Sequence, residues 1–113
     1  MRQDSPDILR GTLDLLILKA LSWGPAHGYG VARWIQQATN DALAVGEGTL
    51  YPALHRLEER GWIAATWGAS ENNRQAKFYA LTRQGRTQLR VEAANWRRYA
   101  AAVFAALDAP ALG

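Results

Sequence analysis

Cysteine is absent from this 113-residue chain, which excludes disulfide scaffolds, thiolate metal sites and cysteine nucleophiles together. A chain without thiols fits a reducing compartment, and the cytoplasm is the expected location. Also missing is any apolar run near the ~20 residues that span a bilayer. The opening Met1-Arg2-Gln3-Asp4-Ser5-Pro6-Asp7 is too acidic and too polar for a signal peptide. The constellations that catalysis needs are lacking as well. His27 and His55 have no second ligand-type residue at metal spacing. Gly28-Tyr29-Gly30 and Gly46-Glu47-Gly48 lack the third glycine of a dinucleotide fingerprint, and Glu58 and Glu59 are helix neighbours that point to different faces. No enzyme, no metal site and no cofactor is expected.

What remains is an ordinary globular balance, with 49% hydrophobic and 20% charged residues, in a length that holds one domain. The net charge of +3 is concentrated rather than spread. Between Asn72 and Arg98, Arg74, Lys77, Arg83, Arg86, Arg90, Arg97 and Arg98 face Glu92 alone. Such an excess suits a polyanion, and it equally suits a merely solvated surface.

Periodicity supplies the elements. Thr12 to Trp23 sets Leu13, Leu16, Ile17, Ala20 and Leu21 at i, i+3, i+4, i+7, i+8, an amphipathic helix. Leu15 and Leu18 add apolar groups off that stripe, so the helix is expected to lie between two layers, with a partner subunit as a candidate for the second. Gly24-Pro25 closes it. A second helix is predicted over Tyr29 to Thr39, carrying Val31, Ala32, Ile35 and Ala38 inward. A third starts near Gly48 or Thr49, with Pro52 in its first turn, turns Leu50, Leu54 and Leu57 to the core and stops at Gly61. Trp62 to Trp67 and Gln75 to Leu81 read as strands of a hairpin joined by residues 68–74. From the N-cap Thr82 one helix runs to about Leu107, nearly 40 Å long at ~1.5 Å per residue. Along it Leu89, Ala93, Trp96, Ala100, Val103 and Leu107 alternate spacings of four and three, the rhythm of a helix packed on helices. That apolar length exceeds what one subunit covers, so a symmetric homodimer is expected.

Three helices, a hairpin and a long helix make a mainly α chain with a small β-hairpin: a winged helix-turn-helix followed by a C-terminal dimerisation helix. Residues 1–81 form the DNA-binding domain with an N-terminal arm, and residues 82–113 the dimerisation helix and tail. In such a fold the third helix enters the major groove while flanking elements hold phosphates. Opposite its leucines that helix offers Thr49, Tyr51, Pro52, His55 and Arg56. The hairpin tip offers Asn72, Asn73, Arg74, Gln75 and Lys77. Winged helices also bind proteins, and a protein-interaction module without DNA is the competing reading. Trp96, between the small Ala93 and Ala100, is either interface core or one wall of a gap that takes a small planar aromatic effector.

Three motifs carry a resemblance: H-G-Y at 27–29, G-T-L-Y-P-A-L-H-R-L-E-E-R-G at 48–61 and K-F-Y-A-L-T at 77–82. In this order the chain resembles the PadR family from about Leu9 to Trp96, and its single last helix resembles the smaller subgroup. The resemblance implies a bacterial winged-helix regulator, usually a repressor, that dimerises through its C-terminal helix on a roughly palindromic operator. It further implies that Tyr51 contacts the DNA backbone, that Thr49 and His55 face the major groove, and that Arg74 and Lys77 form a charged wing. Some members bind planar or phenolic compounds near the dimer interface, which bears on Trp96.

Overall fold

Apolar residues on most of a helix's circumference demand cover on most sides, and the first helix receives it. The computed structural model describes residues 11–69 and 71–112; the expected N-terminal arm and Ser70 of the hairpin tip lie outside the described residues. Helix α1 (Thr12–Leu21) buries Leu13, Ile17, Leu18, Ala20 and Leu21. It touches α2 (Gly28–Ala38), α3 (Glu47–Glu59), α4 (Arg83–Asp108) and the sheet. Leu18, off the stripe expected to face inward, is 0% exposed. The second layer over α1 includes α4 of the same chain, so cover expected of a partner is in part intramolecular. The helix ends at Leu21, two residues before the predicted Trp23, where Gly24 N–H bonds to the Leu21 carbonyl at 3.2 Å.

A two-residue strand β1 (Ala26–His27) was not expected, because two residues are too few to show alternation. It pairs antiparallel with β3 (Gln75–Leu81), which pairs on its other side with β2 (Ile63–Ala69), giving the order β1-β3-β2. His27 then serves twice. Its backbone lies in the sheet, and its Nδ1 accepts the Gly30 N–H at 3.0 Å as the N-cap of α2.

Helix α3 begins at Glu47, earlier than predicted, with Leu50 N–H bonded to the Gly46 carbonyl at 2.9 Å. Pro52 therefore lies in the second turn rather than the first. Its ring removes the bond that the Gly48 carbonyl would accept, and both residues are exposed, so water can replace the lost donor. Leu50, Ala53, Leu54 and Leu57 are buried against α1, α2 and β2. With Ile17, Leu21, Val31, Ile35, Ile63 and Tyr79 they form one core.

Thr82 fixes the departure of α4 from the sheet. Its Oγ1 accepts the Gly85 N–H at 3.0 Å and donates to the Gly61 carbonyl at 2.7 Å. The 26 residues of α4 span about 39 Å. Leu89 packs on the core, whereas every residue from 101 to 108 is exposed.

Gly85 is the buried first-turn residue of α4, and a Cβ there would overlap the backbone carbonyl of Trp62. Gly85→Ala is expected to cost about 1–3 kcal/mol, the range for overpacking a site bounded by main chain. Urea unfolding of both proteins measures it; equal midpoints would show that the α4 start yields freely.

Candidate nucleic-acid interface

With Leu50, Leu54 and Leu57 inward, a rotation of about 100° per residue distributes the rest of α3 into three rows. Gly48, Pro52, His55 and Glu59 project outward, opposite the core. Tyr51 and Glu58 lie on the flank facing the hairpin, and Thr49, Arg56 and Arg60 on the flank facing α1. Contacts agree with this division. Glu58 meets Lys77 Nζ of β3 at 3.4 Å, and Arg56 Nη2 donates to Asp14 Oδ1 of α1 at 2.9 Å. His55 Nε2 is 3.4 Å from Glu59, one turn on. The five α3 residues predicted to share one reading face thus divide: Pro52 and His55 point out, Tyr51 leans to the wing, and Thr49 and Arg56 lean to α1. All five are exposed.

The hairpin's two faces explain Lys77. Alternation places Ile63, Ala65 and Trp67 on one face of β2, opposite Leu81, Tyr79 and Lys77 of β3. Ile63 and Tyr79 fill the core. The pair Trp67 and Lys77 continues the same face past the core's edge, where Trp67 stands 68% exposed. Lys77 consequently points toward α3 and Glu58, with its ammonium 5.5 Å from the Tyr79 ring centroid. Asn72, Asn73 and Arg74 are exposed at the tip, Asn73 with a φ of 59°. Of the seven cations between residues 72 and 98, only Arg74 and Lys77 sit on the hairpin. Arg83, Arg86, Arg90, Arg97 and Arg98 are exposed on α4.

Between α3, the first turn of α2 and the hairpin runs a groove of about 510 Å³ lined by Tyr29, Tyr51, Trp67, Gln75 and Lys77. Its floor is Gly28, where a Cβ would lie 2.9 Å from both Cε1 and Oη of Tyr51. Tyr29 is exposed, with the Arg33 guanidinium 5.8 Å from its ring centroid. Sequence reasoning missed Tyr29, Arg33 and Trp67 as members of this surface. Tyr29 was read only as a helix start, and Trp67 only as the end of a strand.

Trp96 lies at a second groove, of about 400 Å³, between α1 and α4, lined by Leu15, Leu16, Leu43, Leu89 and Ala93. Its indole N–H donates to Thr12 Oγ1 at 3.1 Å, and Tyr99 meets it edge-on with ring centroids 6.4 Å apart. Ala100 is part-buried, while Val103 and Leu107, with Phe104 beside them, are exposed.

The model of the transcriptional regulator PadR-like family matches residues 17–91, from the middle of α1 into α4. The chain belongs to the PadR-like family. This is a family of transcriptional regulators rather than enzymes, and its fold is the winged helix-turn-helix with a long last helix. A PadR family transcriptional regulator from Eggerthella lenta is 31% identical, with 89% of this chain and 86% of that one superposed at a TM-score of 0.74. A PadR-like transcriptional regulator from Bacillus cereus is 27% identical, over 91% of this chain and 98% of that one, at a TM-score of 0.77. An uncharacterised protein of Lysinibacillus sphaericus is 32% identical over 90 residues, which are 80% of this chain and 83% of the relative. Among the described residues of this PadR-like chain no helix is long and apolar enough to cross a membrane.

Because Gly28 seats the Tyr51 ring, Gly28→Ala is expected to destabilise by about 1–3 kcal/mol and to push Tyr51 outward. In a Tyr51→Ala background the same change should cost less than half as much. Equal costs in both backgrounds, measured by chemical unfolding, would show that the tyrosine does not need the glycine.

Proposed function

We propose that this PadR-like regulator binds a palindromic operator as a homodimer, places α3 in the major groove and acts as a repressor. The observation that carries the reading is the outward row of α3: Pro52 and His55 exposed at the end of a two-helix unit, with Thr49 beside them and a hairpin bearing Arg74 alongside. Major-groove readout needs such polar and methyl-contacting groups on a helix that the core does not consume. The groove of Tyr29 and Tyr51 supplies hydroxyl donors for a phosphate, and Arg74 a cation for the next. Lys77 is held by Glu58 in the free protein and reaches a phosphate only by exchanging that carboxylate. Support for the dimer comes from Val103, Phe104 and Leu107, exposed on a helix half that the other described residues leave bare.

Selection of genomic fragments by the purified protein, followed by titration of the enriched site, tests the reading. The site should consist of two half-sites about 10 bp or a multiple apart. Thr49→Ala or His55→Ala should lower affinity for it by roughly 1–3 kcal/mol per lost base contact. Arg74→Ala should weaken all sequences alike and reduce the slope of log K against log salt by about 2, one phosphate per protomer. Failure to enrich any DNA, with a protein captured at the same surface, would favour the interaction-module reading.

Sedimentation should find a dimer at micromolar concentration, and replacing Val103 and Leu107 by Glu should give monomers that bind the operator weakly. The apolar groove under Trp96 supports a small planar effector. Such a compound releases DNA only if it binds one arrangement of the dimer better than the other. Planar aromatics should quench tryptophan emission in the parent and not in Trp96→Ala; equal quenching in both would leave Trp96 as packing alone.

A further inference from the structure

The first turn of α1 holds a carboxylate that the DNA-reading surface does not include. Asp14 belongs to α1, yet two guanidiniums of α3 converge on it. Arg56 Nη2 lies 2.9 Å from Oδ1, and Arg60 Nη1 lies 3.8 Å from Oδ2. The Asp14 side chain is only 14% exposed, whereas Arg56 and Arg60 are about half exposed. One acid therefore meets two long cations on this flank of α3, Arg60 also lying over the Trp62 ring with its guanidinium 5.1 Å from the centroid. Its own position is set by the two residues before it. Leu13 beside it is in the core, and Thr12 receives the Trp96 indole N–H from α4.

We infer that Asp14 is a specificity-determining positioning residue: it directs Arg56 at one place on the operator and withholds Arg60 from phosphates at large. The inference rests on the DNA-binding reading above. A free arginine on a recognition helix serves any sequence, because phosphates lie within reach at every step and releasing counterions rewards each contact. An arginine whose guanidinium is already engaged on one edge has a fixed plane, and presents its remaining N–H donors in a single direction, as bidentate readout of a guanine edge requires. The carboxylate also cancels one of the two positive charges, which lowers the field that attracts random DNA. Discrimination arises here as much from what is restrained as from what is offered.

The test compares the parent, Asp14→Asn, and Asp14→Asn with both Arg56→Gln and Arg60→Gln, on the selected operator and on random duplex of equal length, over a series of salt concentrations. For Asp14→Asn, random-duplex affinity should rise several-fold, with a salt slope steeper by about 1 per protomer. The ratio of operator to random binding should fall about tenfold. Adding Arg56→Gln and Arg60→Gln, which removes both released cations, should remove the extra slope. Asp14→Glu, which keeps the charge but moves the guanidinium, should lower the ratio without steepening the slope, and serves where Asp14→Asn does not fold. A folded Asp14→Asn with unchanged ratio and slope would overturn the inference while the parent's operator binding stands. So would an extra slope that survives the loss of both Arg56 and Arg60. A parent that selects no DNA overturns both readings.

Discussion

Burial of α1 is the constraint on which the other elements depend. Ile17, Leu18 and Leu21 are fully enclosed by α2, α3, α4 and the sheet, so those elements are placed relative to one another mainly through this ten-residue helix. Close-packed apolar contact is non-directional; it brings elements together without fixing their rotation. Rotation is fixed by the polar links at the same helix's first turn, Thr12 to Trp96 and Asp14 to Arg56. Helices α3 and α4 are consequently both tied to one turn of α1.

The wing is held by a different balance. Its core end is apolar, with Ile63 and Tyr79 buried, and its overhanging end carries Trp67 and Lys77 on the same face. A hairpin of two strands is marginal by itself; here β1 adds a third strand and Glu58 ties the overhang to α3 through Lys77. The cation that most resembles a phosphate ligand in the sequence thus helps to set the angle between wing and helix. With both partners only partly buried, this link is weak energetically, and the apolar core end carries most of the wing's attachment.

Much of this architecture was legible in the chain. The spacing of Leu50, Leu54 and Leu57, the N-cap at Thr82 and the register-bearing strand 75–81 each depend on local chemistry, and each stands where periodicity placed it. The motifs at 27–29, 48–61 and 77–82 were enough to identify the family. What escaped depends on contacts distant in sequence. The strand Ala26–His27 exists only because β3 offers it an open edge. The start of α3 at Glu47 is set by the Gly46 carbonyl rather than by Pro52. Arg56 was assigned to a reading face because its rotation leaves it outside the leucine stripe, but Asp14, 42 residues earlier, holds it. Trp67 could not be separated from the buried residues of its face, since alternation tells which side a residue occupies and not where the core ends.

The same limit applies to α4, with a different outcome. The four-three spacing of apolar residues runs without a break from Leu89 to Leu107, yet the body of the protein covers only the first part of it. Among the described residues, the half of the helix that exposes Val103, Phe104 and Leu107 has little support beyond the propensity of its alanines. Propensity alone makes short helices marginal in water, whereas a second copy packed on this seam converts exposed apolar area into buried area. The periodicity therefore continues past the body of the protein, as the proposed homodimer requires. Nearer the start of the same seam Trp96 meets Thr12, two residues before the Asp14 that holds Arg56, so in the proposed dimer α4 and the flank of α3 share one neighbour, the first turn of α1.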